Sequence, residues 1–201
     1  MHSISFVMGS IIFLDEMDAL LGKRKSDNNS EGEGSRRFKT EFMVQMEGIC
    51  AGSGSGDTEE RRVLLIGCTN CPWDIDDAVM RRFQRRIYVP LPDPGARKAL
   101  WTKILDKGNG NISISSRDTT KLIQMTEGFS CSDISSIANE AAFGPLRDID
   151  SIEKIVGVNK SDVRPIQSKD FIKSIHDAKK SVTNGLLKKY DAWEKAQAAR
   201  G

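Results

Sequence analysis

Two short unbroken apolar runs, Ile11-Ile12-Phe13-Leu14 and Val63-Leu64-Leu65-Ile66, are the sharpest pattern in the first half of the chain. Runs of that length without alternation predict strands at Ser10–Leu14 and Val63–Cys68, buried on both faces of a parallel sheet. Between them Phe38, Phe42, Met43 and Met46 recur at helical spacing and predict a helix over Arg36–Glu47. Ile75–Phe83 reads as a short helix and Arg86–Pro90 as a third strand. The polar, Gly- and Ser-rich stretches Lys23–Ser35 and Cys50–Glu60 read as exposed loops.

Pro90, Pro92 and Pro94 end that rhythm. Beyond them the apolar positions follow the helical period. Helices are predicted over Arg97–Leu105, Thr119–Met125, Asp133–Ile149, Asp170–Ala178 and Leu186–Ala199. In the third, Ile134, Ile137, Ala138, Ala141 and Ala142 share one face, and Ser130 with Asp133 has the pattern of a capping box at its start. The fold class is therefore α/β with a parallel sheet over residues 1–92, then a small all-α unit over residues 93–201.

Composition narrows the function. Of 201 residues, 38% are hydrophobic and 29% charged, as in a globular chain. With 30 basic and 28 acidic residues the net charge is +2, which predicts no nucleic-acid partner. No apolar stretch is long enough to span a bilayer. Met1–Leu14 lacks a basic start and runs straight into Asp15-Glu16, unlike a signal peptide. Cys68 and Cys71 form a C-x-x-C, whose functional readings are half a zinc site or a redox pair, beside the plain one of a buried small residue. No second ligand pair follows, and the only histidines are His2 and His176, so a zinc site is not predicted. Cys68 reads as a small buried residue at a strand end. Reduced thiols fit a cytoplasmic protein.

The chemistry falls at strand ends, where open α/β sheets bind ligands. Asp15-Glu16 follows the first strand. A carboxylate there can hold hydrated Mg²⁺, and a second can polarise a water for attack on a phosphate. The plain alternative is a solvated acidic turn. Asn70, after the second strand, can orient the same water, or be a turn residue. Arg81-Arg82 before Phe83 can stabilise phosphoryl charge, or form a solvated basic face.

Taken in order, these segments resemble the AAA ATPases. Ser10–Leu20 resembles the Walker B strand, and Ser35–Gly48 the segment after it. Gly67–Asp77 with Arg81-Arg82-Phe83 is similar to sensor 1 and the arginine fingers, and Gly128–Asp133 to the lid's nucleotide-facing turn. Within the family the chain resembles the meiotic clade of spastin, fidgetin and katanin. Pro72-Trp73-Asp74-Ile75-Asp76 is similar to katanin; Gly144-Pro145-Leu146-Arg147 and Val163-Arg164-Pro165-Ile166 resemble fidgetin and spastin. Tyr190-Asp191-Ala192-Trp193 resembles the C-terminal helix of the severing enzymes. The related vacuolar-sorting ATPase, which disassembles ESCRT filaments, carries a β-insertion for which the span from Arg147 to Asp170 is too short.

The resemblance implies a partial P-loop sheet, the family's third, fourth and fifth strands, followed by a helical lid. It implies ATP and Mg²⁺ as cofactors: Asp15 on the metal, Glu16 on the attacking water, Asn70 as sensor 1. Arg81 and Arg82 would serve a neighbouring subunit in a homo-hexameric ring, and Ser130, Cys131 and Ser132 would face the nucleotide. Ser26–Arg37 would include a pore loop, whose Arg36 and Arg37 suit an acidic tubulin tail or an ESCRT filament tail. The implied activity is ATP-driven disassembly of a protein polymer, microtubule severing first, in the cytoplasm beside the cytoskeleton. The sequence departs from the family in three places. No G-x-x-x-x-G-K-[ST] occurs; at Gly22-Lys23, Met17 and Arg24 stand where Gly and Ser or Thr would be. Met1–Gly9 does not match the family, so an N-terminally truncated copy, non-catalytic and acting as an interaction module, is the alternative. Cys131 replaces the lid turn's second glycine.

Overall fold

The computed structural model describes residues 10–23, 33–50, 63–108, 111–149 and 163–198. The predicted linker at Cys50–Glu60, beyond its first residue, and most of the pore-loop segment Ser26–Arg37 lie outside them. Two compact units divide the chain, Met1–Ile87 and Tyr88–Gly201.

In the first unit, β1 (Ser10–Leu14) pairs parallel with β2 (Val63–Gly67), Ser10 beside Val63 and Leu14 beside Gly67. Three helices accompany them: α1 (Met17–Leu21), α2 (Glu33–Cys50) and α3 (Asp77–Arg82). Met17, Leu21, Ile75 and Val79 are buried together, with Leu14, Phe42, Met43, Met80 and Phe83 packed around them. Gly67 is required where it stands, because a Cβ there would meet the buried Met17 sulfur at 1.8 Å. A turn of 3-10 helix at Pro72–Asp74 leads to α3, whose N-cap Asp76 accepts the Ala78 N–H at 2.7 Å.

Two expectations are corrected. The strands are not buried on both faces: Ile11 is 70% exposed, Phe13 60% and Leu64 55%, and Cys68 is exposed as well. An apolar run reports what a strand can bury; burial also requires flanking strands and helices, and no described element covers these side chains. Arg86–Pro90 is not a strand. It makes no ladder with any described residue, and Ile87 and Val89 are almost fully exposed.

The second unit is helical: α4 (Pro94–Lys107), α5 (Ser116–Met125), α6 (Cys131–Ala142), α7 (Gly144–Arg147), α8 (Ser168–Asp177) and α9 (Asn184–Ala198). Trp101 centres the core, its ring meeting Phe171 edge-on at 5.6 Å and its Nε1–H reaching Thr126 Oγ1 at 3.2 Å. Leu122, Ile134, Ile137, Ala141 and Ile175 close around it. Buried Arg97 donates to the carbonyls of Ile123 and Pro92, so its charge is hydrogen-bonded. The helix expected over Asp133–Ile149 is two helices, because Pro145 breaks the ladder and starts α7. Two-residue strands β3 (Ile112–Ser113) and β4 (Ile166–Gln167) pair in parallel, too short to leave a periodic signal.

Candidate functional site

The register of β1 on β2 places the residues after each strand side by side. Leu14 pairs with Gly67, and the chain beyond is stitched by Cys68 N–H to the Leu14 carbonyl at 2.8 Å and Met17 N–H to the Cys68 carbonyl at 3.0 Å. Asp15 and Glu16 occupy the span between those two bonds. Both are exposed. Glu16 holds φ 50° and ψ 46°, the left-handed region, with its N–H on Asp15 Oδ1 at 3.0 Å. An L-residue there costs about 1–2 kcal/mol, and such outliers concentrate at functional sites.

Across the gap, Thr69 ties the β2 end to α1. Its hydroxyl donates to Asp18 Oδ1 at 2.5 Å and accepts the Cys71 N–H at 3.0 Å. Asn70 lies between those anchors, exposed, at a bend. The end of α1 is held to the same loop: Asp76 N–H meets the Leu21 carbonyl at 3.0 Å, and Gly22 bridges Ile75. Asp15, Glu16 and Asn70 are thus brought to one end of the strand pair. Thr69, read from sequence only as a polar strand-end residue beside Asn70, is a positioning residue, and Asp18, its partner, is the one that sequence reading missed.

Asp15 suits Mg²⁺, which keeps several waters and takes only one or two carboxylates beside a substrate's phosphates. Among the described residues no group of three or more metal-ligating side chains gathers, so a closed protein cage is not what this site offers.

Arg81 and Arg82 end α3 differently. Arg81 is exposed. Arg82 is half-buried, donates to the Ala78 carbonyl at 2.8 Å and pairs with Glu47 of α2. Arg36 and Arg37 are exposed on α2.

In the second unit, Gly128 turns the chain at φ 77° into α6. The predicted capping box is present: Ser130 Oγ accepts Asp133 N–H at 3.1 Å, and Asp133 accepts Ser130 N–H at 2.9 Å. Ser130 is thereby committed to the cap, while Cys131 and Ser132 are exposed. Ser181, which no sequence pattern flagged, adds its N–H and hydroxyl to Asp133. Burial pushes the Asp133 carboxyl up, but the Ser130 and Ser181 donors outweigh it and hold it below the usual carboxylate range. Lys180 lies over the Phe129 ring at 5.3 Å from its centroid.

Comparison with known proteins adds the following. The profile of the ATPase family associated with various cellular activities (AAA) matches residues 2–91, and that of the AAA+ lid domain residues 116–163. Spastin from Naegleria gruberi is 41% identical over 191 residues, covering 95% of this chain and 35% of that protein. The solved FIGL-1 AAA domain in complex with ADP superposes with a TM-score of 0.77 at 34% identity, covering 93% of this chain and 57% of that one. A katanin structure concerned with self-assembly gives 0.67 at 33% identity, covering 92% and 57%. This chain thus spans about a third of the spastin relative and over half of the solved domains.

Proposed function

The chain belongs to the AAA ATPases, with an AAA lid and relatives in spastin and katanin, and on that premise we propose that its first unit is the metal-and-water half of an ATP-hydrolysing site working in a ring of subunits. The supporting observation is the β1–β2 register, Leu14 beside Gly67, after which Asp15-Glu16 and Thr69-Asn70 follow at the same end of the strand pair. Residues 1–92 then belong to the large α/β subdomain and residues 93–201 to the lid. Asp15 holds Mg²⁺, which when bound neutralises phosphate charge. Glu16 takes the proton of the attacking water, and Asn70 holds that water in line by hydrogen bonding. Arg81, exposed at the end of α3, reaches the phosphate of an adjoining subunit, with Arg82 beside it. Cys131 and Ser132 at the lid turn face the nucleotide, and Ser130 shapes that turn. The ADP-bound FIGL-1 relative supports a nucleotide here, and katanin's self-assembly supports the ring.

The ring acts on a protein polymer with acidic tails. Tubulin is favoured by the spastin and katanin kinship, with ESCRT filaments as the alternative, and Arg36 and Arg37 offer the complementary charge. The setting is the cytoplasm, beside the cytoskeleton. Among the described residues no helix is long and apolar enough to cross a membrane.

The test uses this chain extended at its N-terminus by the corresponding segment of the FIGL-1 AAA domain. Steady-state hydrolysis of ATP is expected, and Asp15→Asn lowers it about 100-fold or more and flattens its dependence on Mg²⁺. Unchanged turnover in Asp15→Asn contradicts the assignment.

One observation favours a second reading for the 201 residues by themselves: they contain no G-x-x-x-x-G-K-[ST], hence no phosphate cradle. In that reading they form a non-catalytic interaction module. Titration of the 201-residue chain with ATP then shows no micromolar binding; micromolar binding excludes it.

A further inference from the structure

The C-x-x-C of Cys68 and Cys71 has no part in the chemistry above. Cys68, expected from sequence to be buried, is exposed. Neither cysteine forms a disulfide, and Cys71 is half-buried. Their backbones bracket the candidate water-orienting residue. Cys68 is fixed at the end of β2 by the Leu14 carbonyl and the Met17 N–H, at 2.8 and 3.0 Å. Beyond it the chain bends at Asn70. Cys71 folds back, its N–H on Thr69 Oγ1 at 3.0 Å, and its carbonyl accepts Asp74 N–H at 2.9 Å to begin the 3-10 turn. Pro72 is buried at that turn, which holds Cys71 from the other side.

We propose that Cys68 and Cys71 are a modification site, a dithiol that a disulfide oxidant such as oxidised glutathione closes into a bond, drawing Thr69 and Asn70 out of position. The exposed Cys68 thiolate attacks one sulfur of oxidised glutathione; an S–S bond to glutathione forms and one glutathione thiolate leaves. The Cys71 thiolate then attacks the Cys68 sulfur, forming the Cys68–Cys71 bond and expelling the second glutathione thiolate. Two electrons pass from the protein thiols to the glutathione disulfide, and the two thiol protons go to solvent. Closure needs the two Cα atoms within about 4.4–6.8 Å, so the two residues between them must form the loop of the ring. Thr69, tied to Asp18 and to the Cys71 N–H, lies within that loop, so closure acts on both ties. The effect on hydrolysis rests on the role given above to Asn70; the closure does not.

The experiment uses the full chain in buffers of reduced and oxidised glutathione, quenched in acid, alkylated and digested with trypsin. The cleavage sites at Arg62 and Arg81 release Val63–Arg81, which holds both thiols and neither Cys50 nor Cys131. In oxidising buffer the wild-type peptide is expected to lose two hydrogens and take no label, reversibly with dithiothreitol. Cys68→Ser and Cys71→Ser, each left with one thiol, cannot close; each stops at a glutathione adduct or keeps its label. Amide exchange across residues 69–71 rises about tenfold on closure. A wild-type peptide that keeps two labels, or stops at the adduct, overturns the proposal, as does closure with unchanged exchange. In the extended chain, oxidation lowers ATP turnover and dithiothreitol restores it. A reduced extended chain without turnover counts against the hydrolysis reading and leaves the dithiol standing.

Discussion

Glu16 is the only described non-glycine residue with a positive φ, and it sits between the two bonds that stitch β1 to the end of β2. The strain is local: Asp15 Oδ1 accepts the Glu16 N–H, and the Glu16 carbonyl accepts the Ala19 N–H at 3.0 Å to start α1. A glycine would adopt this conformation at no steric cost. Glu16→Gly is therefore expected to stabilise the chain by about 0.5–1 kcal/mol in urea denaturation, despite deleting the proposed base. A loss of stability of that size would mean that the Glu16 side chain serves the fold. The sequence disclosed the acid pair at a strand end but not this geometry. Local φ and ψ at a junction depend on which neighbouring strand the chain is stitched to, and the stitching partner is more than fifty residues away.

At the scale of elements, helices were more legible than strands. Apolar periodicity located α4, α5, α8 and α9 to within a few residues, and the Ser130–Asp133 pattern marked the start of α6, whose end the periodicity overran. Those features are encoded within one turn of the chain. Strand pairing is not: Arg86–Pro90 has the composition of a strand and forms no ladder with any described residue, while β3 and β4 pair with almost no composition to announce them. The start of α8 also holds a charge network invisible in sequence. Arg164 grips Asp170 with Nη1 to Oδ2 at 2.7 Å and Nη2 to Oδ1 at 2.9 Å, and also pairs with Asp148. Asp170 also accepts the Gln167 N–H at 2.8 Å, closing the start of α8, and lies so close to Gly144 that a Cβ there would meet its own Cβ at 2.9 Å. The Arg164 guanidinium holds the Asp170 carboxyl below the usual carboxylate range, against the pull of burial. A depressed pKa contributes stability that is complete above the unfolded value of about 3.9 and is lost as pH falls through the folded value. Asp170→Asn is thus expected to cost roughly 2–3 kcal/mol in chemical denaturation at pH 7, with the gap to wild type closing below about pH 4. A gap that stays constant down to pH 3 would remove the ion pair from the account.

For the whole molecule, the two units carry different kinds of information. The second closes a core of its own around Trp101 and was legible as an all-α unit from its apolar spacing. The first shows its chemistry more clearly than its packing: Asp15, Glu16 and Asn70 were recognisable by type and position, yet the strands that carry them expose the side chains expected to be buried. Composition alone does not say which surfaces meet. The central claim is that this strand pair positions metal and water for cleavage of a nucleotide. It is tested most directly by Glu16→Gln in the N-terminally extended chain, with ATP binding and single-turnover hydrolysis measured on the same sample. The variant is expected to bind ATP as wild type does and to hydrolyse it about 100- to 10,000-fold more slowly, the usual range for loss of a general base. Hydrolysis at the wild-type rate would contradict the claim.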